Sequence, residues 1–177
     1  MTNPGTLPWQ PVGAAELVAA PVAAALAGWL HAPEVRVAPI DPDLADTAEF
    51  CARYDVALED SANCVVIAGR RGDDVRYAAC VVLASTRADV NGVVRRRLDA
   101  RKASFAAMDD AVELTGMEYG GITPIGLPSS WPVLIDRAVL ARDVVVIGSG
   151  LRRSKLALPS SALAELPGAE VIVDLAS

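Results

Sequence analysis

The chain has 177 residues, of which 53% are hydrophobic, and a formal net charge of −6. That length and apolar content suit one compact domain with a sizeable core and exclude a solvated, disordered chain. The acidic balance argues against non-specific binding along DNA. Cys51, Cys64 and Cys80 are odd in number, widely spaced and set in apolar runs, which fits buried thiols in a reducing cytoplasm better than disulfides or a metal cage.

In chain order, Met1 to Pro11 carries three prolines and little periodicity, so an irregular or mobile arm is predicted. Val12 to Leu30 is alanine-rich, contains Glu16 and Pro21, and lacks the positive leader of a secretion signal, so neither export nor a membrane span is expected. Val18, Val22, Leu26 and Trp29 recur at helical spacing, with Pro21 starting or kinking a helix packed on the domain's flank. Residues 1–32 thus read as an arm and helical extension, and residues 33–177 as the main domain.

Glu34 to Ile40 alternates as a half-buried strand does, and Asp46-Thr47-Ala48-Glu49 has the spacing of a capping box opening a helix through Tyr54. Cys64 to Ala68 and Val75 to Ala84 are β-rich runs joined by the hairpin signal Arg70-Arg71-Gly72-Asp73-Asp74. Helical patterns follow from Val90 to Leu98, again after Asp99, and from Asp109 to Leu114. Strands are predicted at Val133 to Asp136, Val144 to Ile147 and Lys155 to Leu158, then a short helix opened by Ser160 or Ser161, and a last strand from Val171 to Leu175. Cys64-Val65-Val66-Ile67 is apolar at every position, so both of its faces should be covered. The order of elements predicts an α+β fold with a mixed sheet.

The available chemistry narrows by elimination. The single histidine, His31, lies in the extension, and no Gly-x-Ser-x-Gly elbow is present, which disfavours a serine or cysteine triad. The cysteines lack metal-ligand spacing, so no metal or cofactor is expected. Gly148-Ser149-Gly150-Leu151-Arg152-Arg153 lacks the third glycine of a dinucleotide fingerprint, and Asp109, Asp110 and Glu113 suit a capped, solvated helix. What stands out is Gly116 to Pro128, with four glycines and two prolines in thirteen residues. Such a run is either a tight connection or a loop whose backbone N–H groups face a ligand.

Gly120-Gly121-Ile122-Thr123-Pro124-Ile125-Gly126 resembles the Gly-Gly-[Ile/Val]-[Ser/Thr]-Pro-x-Gly signature of the YbaK/EbsC-like aminoacyl-tRNA deacylases, the family that includes the editing insertion of bacterial prolyl-tRNA synthetases. Leu98-Asp99-Ala100-Arg101-Lys102 is similar to that family's Leu-Asp-x-Lys-Lys helix start, and Pro132 to Asp136 to its strand ending in aspartate. Val146 to Gly150 and Ala169 to Asp174 fit its last strands, and the resemblance runs from about Val35 to the C-terminus. It implies a curved, partly barrel-like sheet with surrounding helices, and a pocket for the aminoacyl group lined by Ile122, Thr123, Pro124 and Gly126, with Asp136 at a matching position beside it, where a turn or cap role suits it equally well; the Gly148-Ser149-Gly150 turn is a further candidate wall of that pocket. It also implies that water attacks the ester, assisted by the terminal ribose hydroxyl; the oxyanion that forms needs preoriented N–H donors, for which Gly120-Gly121 and the Gly148-Ser149-Gly150 turn are the candidates.

One position departs from the pattern: the family carries a lysine at the start of the strand that here reads Asn63-Cys64-Val65-Val66-Ile67. Asparagine cannot supply a positive charge. Two readings follow: a free-standing trans-editing hydrolase in the cytoplasm acting on the acceptor end of mischarged aminoacyl-tRNA, with Asn63 at the lysine's place; or a weak or inactive module binding an aminoacyl or nucleotide-like ligand. Basic residues cluster at Arg70-Arg71, Arg95-Arg96-Arg97, Arg101-Lys102 and Arg152-Arg153 with Lys155 on an otherwise acidic protein, and Arg95, Arg96, Arg97, Arg101 and Lys102 are the candidate tRNA contacts. Valine at Gly121 is expected to fill the ligand's space while leaving the fold largely intact.

Overall fold

The computed structural model describes residues 2–13 and 15–177. Two sheets organise it. The first has the order β1-β2-β8-β7, built from β1 (Gln10–Pro11), β2 (Arg36–Pro39), β7 (Val144–Gly148) and β8 (Ser154–Pro159), all antiparallel. The second has the order β5-β3-β4-β6-β9, from β3 (Ala62–Arg71), β4 (Asp74–Leu83), β5 (Lys102–Phe105), β6 (Val133–Asp136) and β9 (Ala169–Ile172). In it β6 runs parallel to both β4 and β9, so the sheet is mixed and the fold is α+β. The sheets touch at one parallel bridge, Ser61 to Val146, and no closed barrel forms among the described residues.

Side-chain alternation divides the core into layers. Val81, Ile135, Ile147, Leu156 and Leu158 pack between the sheets, and α1 (Ala20–Ala27) adds Val22 and Leu26 to that layer. Pro21 sits in its first turn, where the missing N–H costs nothing. On the outer face of the first sheet, Ala38, Val146 and Ala157 are covered by Phe50 and Cys51 of α2 (Thr47–Tyr54). On the outer face of the second sheet, Ile67, Cys80 and Val82 are covered by Val94, Leu98 and Leu175. The chain between β4 and β5 ends in α3 (Arg95–Arg97), and its opening turn is held by the Asp89 carboxylate, which accepts from the N–H groups of Gly92 and Val93. Helix α4 (Met108–Thr115) precedes the glycine loop, and α5 (Arg137–Leu140) follows β6.

Four local expectations change. Within the predicted arm, Gln10–Pro11 pairs with β2 and Leu7 is buried, so part of that segment is anchored. The helix expected after Asp99 is instead β5: Asp99 takes the left-handed conformation (φ 51), which stops the helix, and the chain then pairs with β3. Asp46 precedes α2 without a side-chain cap bond. The last strand lies at Ala169–Ile172, earlier than Val171 to Leu175, because its register is set by β6.

Asp136 ends β6 with its carboxylate fully used: Oδ1 accepts from the Ala138 N–H at 2.7 Å and Oδ2 from the Ala176 N–H at 2.7 Å. It caps α5 and ties down the C-terminal segment. Asp136→Ala strands two N–H groups and is expected to cost about 1–3 kcal/mol for each, read as a lower denaturant midpoint; an unchanged midpoint would remove this role.

Candidate functional site

Past the Ser61–Val146 bridge β3 and β7 make no further pairs, and a cavity of about 280 Å³ lies against both strands. Asn63, Cys64, Val65 and Val66 of β3 form one part of its wall, with Gly120 and Ile122 from the glycine loop and Gly148 at the end of β7. Ala45, Asp46 and Thr47 bring the start of α2 to the cavity, and Lys155 enters from β8. Ala106 and Ala111 add small apolar surface. Phe105 and Tyr119, 64% and 55% exposed, stand at the rim.

The glycine loop is held in place by backbone contacts. The Gly150 N–H donates to Gly121 O at 2.7 Å, and the Glu118 N–H donates to Gly150 O at 2.9 Å. A Cβ on Gly121 would lie 2.6 Å from the Leu151 carbonyl carbon, and one on Gly148 would lie 2.5 Å from Gly121 O. Backbone cannot be pushed aside as a side chain can, so both positions require glycine. Gly121 therefore faces the 148–151 turn and does not line the cavity, which overturns the expectation that valine there leaves the fold intact.

The same contacts decide which donors are free. The N–H groups of Gly121 and Gly150 are spent inside the protein, on Glu118 O and Gly121 O. Among the described residues, the N–H groups of Gly120 and Ile122 have no protein acceptor. Ser149 Oγ is shared among Leu151 O, Ser154 O and Ser154 Oγ, so it braces the turn. Thr123 is fully buried beneath the loop, while Pro124 and Gly126 border a separate hollow beside Trp29. Asp136 is occupied as described.

The polar side chains are differently placed. Thr47 Oγ1 donates to Asn63 Oδ1 at 2.7 Å, which leaves the Asn63 amide hydrogens without a protein acceptor among the described residues. Burial pushes the Cys64 thiol well above its ordinary range, with Cys80 adding to the effect, so this cavity cysteine is a neutral thiol and not a nucleophile. Lys155 is 9% exposed, and burial lowers its ammonium to about 8. The sequence carries a signal for it: a lone lysine in the apolar strand Lys155-Leu156-Ala157-Leu158.

The basic clusters have different surroundings. Arg70, Arg95, Arg101 and Lys102 line a groove at the start of β5, whose other end reaches the cavity at Phe105. Arg97 is paired with Glu170, with Nε donating at 2.6 Å, and holds that carboxyl below its usual range. Arg96 is exposed, and Arg152 donates to the carbonyls of Tyr119 and Pro42.

A family model described as the aminoacyl-tRNA editing domain matches residues 41–166. The chain belongs to this family. Among solved structures, the editing domain is similar to the hypothetical protein APE2540, with 24% identity, a TM-score of 0.70, and coverage of 81% of this chain and 91% of that one. A protein proposed as a trans-editing enzyme for prolyl tRNA synthetase aligns at 22% identity and a TM-score of 0.71, over 87% of this chain and 96% of that one. At these identities the likeness speaks to the fold. No curated protein matches the chain. The matched span includes all the cavity-lining residues of the editing domain, from Ala45 to Lys155.

Gly121→Ala separates the bracing role from ligand contact. The added methyl meets Leu151 backbone, and overpacking of this kind costs about 1–3 kcal/mol. The expected result is a clear loss in unfolding free energy; a variant as stable as wild type would place Gly121 elsewhere.

Proposed function

We propose that this editing domain is a trans-acting deacylase that hydrolyses the ester of a mischarged aminoacyl-tRNA. The observation that carries the reading is the meeting of two unpaired backbone donors, on Gly120 and Ile122, with an open-mouthed cavity inside a matched editing domain. Water adds to the ester carbonyl, the carbonyl oxygen becomes anionic, and the carbon–oxygen bond to the ribose breaks. The products are free tRNA, an amino acid carboxylate and one released proton. Donors aimed at that oxygen act without a protein nucleophile, and each is worth about 2.7–4 kcal/mol in the transition state.

The surrounding wall of Ala62, Cys64, Val66, Ala111 and Ile122 suits a small apolar acyl side chain. Asn63, fixed by Thr47, offers its amide hydrogens to the substrate from the position where the family pattern has lysine. The groove of Arg70, Arg95, Arg101 and Lys102 leads along β5 toward Phe105 and the cavity, a path suited to the backbone of the acceptor end.

Deacylation of a full panel of mischarged tRNAs tests the activity. Wild type is expected to release small apolar amino acids, and Ala106→Phe, which fills the cavity from a half-buried position, is expected to lower kcat/KM by about 100-fold while the protein stays folded. Inert wild type across the panel, or unchanged turnover in Ala106→Phe, would refute the assignment. For the tRNA path, joint replacement of Arg70, Arg101 and Lys102 by alanine is expected to weaken all tRNAs alike and to reduce the salt slope by about 0.7–0.9 for each phosphate no longer neutralised. An unaltered slope would place the RNA on another face.

A further inference from the structure

Lys155 is a buried cation without a counter-ion. Its Nζ donates to Ala45 O at 3.1 Å and lies 5.0 Å from the Phe50 ring centroid, which leaves two N–H groups unmatched. The nearby carboxylate, Asp46, is turned to Arg152 at 3.6 Å, and among the described residues no acidic group is within ion-pair distance of Lys155. The groups that face it are few: Cys51 of α2, Asp46 before α2, and Arg152 from the turn before β8. A charge buried in this way costs stability, and proteins keep such residues where they act on a ligand.

The strand register places this charge beside Asn63. Lys155 pairs with Gly148 across β8 and β7, and the Ser61–Val146 bridge, carried two residues along the parallel strands, brings Asn63 next to Gly148. All three residues line the same cavity, and the middle one has no side chain. A cation on β8 thus reaches space that a cation on β3 would otherwise serve.

We infer that Lys155 is the cation of this site, binding an anionic oxygen of the aminoacyl-nucleotide end from β8 in place of a lysine at position 63. The inference rests on the deacylase reading. Two oxygens share the required chemistry, the terminal phosphate and the oxyanion formed at the ester carbonyl. Either one supplies the missing counter-ion, and binding it raises the proton affinity of the amine.

The chain has two lysines, Lys102 and Lys155, so selective 13C labelling at Cε gives two resonances, and loss of one of them in Lys155→Met assigns the other. Two probes separate the oxygens: adenosine 5′-monophosphate for the phosphate, and a phosphate-free adenosine with a phosphonate in place of the acyl carbonyl for the oxyanion. The expected result is that at least one probe shifts the Lys155 resonance and moves its titration midpoint up from about 8. A Lys155 resonance unaffected by both probes, while the Ile122 methyls respond, would overturn the inference and leave the deacylase reading standing. If Ile122 is also silent and wild type is inert on charged tRNA, both fall.

Activity provides a second arm. Lys155→Met is expected to lower kcat/KM by at least about ten-fold with a Tm no lower than wild type, and Asn63→Lys in that background to restore part of the loss. Full activity in Lys155→Met would overturn the inference.

Discussion

The backbone contact between Gly121 and the 148–151 turn determines where everything else in the site can stand. Two hydrogen bonds join the segments, and the approach is close enough that a single methyl on either Gly121 or Gly148 would strike main chain. This contact fixes the wall that holds Gly120 and Ile122, whose N–H groups have no protein acceptor among the described residues. A donor held by main-chain geometry needs no reorganisation as charge develops on a substrate, which is the advantage of building such a wall from backbone. The signature glycines thus divide in function: Gly120 borders the cavity, Gly121 braces it, and Gly126 turns away toward α1.

Against this rigid wall stands an electrostatic cost. Placing Lys155 of β8 beneath α2 removes an ammonium group from water and gives it one carbonyl and an aromatic face in return. Burial holds the amine to about 8, below the value of the unfolded chain. Between those two values the unfolded state binds more protons, so stability rises with pH across that window, and near neutrality the residue is a liability to the fold. An anion in the cavity would relieve that liability.

Much of the architecture is legible in the sequence because its signals are local. The Arg70 to Asp74 turn, the alternation around β2 and the apolar run of β3 each specify their element with few residues. Position 99 misleads because the sequence after it is helix-compatible, while the left-handed Asp99 and the open edge of β3 decide the outcome. In the site, the glycine loop stands out by composition, but the direction each glycine faces depends on a turn about thirty residues away. Asp136 has the sequence context of a pocket residue, yet its oxygens serve α5 and the C-terminal segment. Lys155 is visible in the sequence as a lone lysine in an apolar strand, but its place beside Asn63 is not: only the pairing of β8 with β7, and the bridge from β7 to β3, brings the two together.

The most direct measurement is a crystal structure of the protein with a non-hydrolysable 3′-aminoacylamino adenosine 5′-monophosphate. The aminoacyl carbonyl oxygen should lie within hydrogen-bond distance of the Gly120 or Ile122 N–H, with the acyl side chain against Val66 and Ala111. Ligand seated in the hollow beside Trp29 and Pro124, with the cavity along β3 left empty, would contradict the assignment of the site.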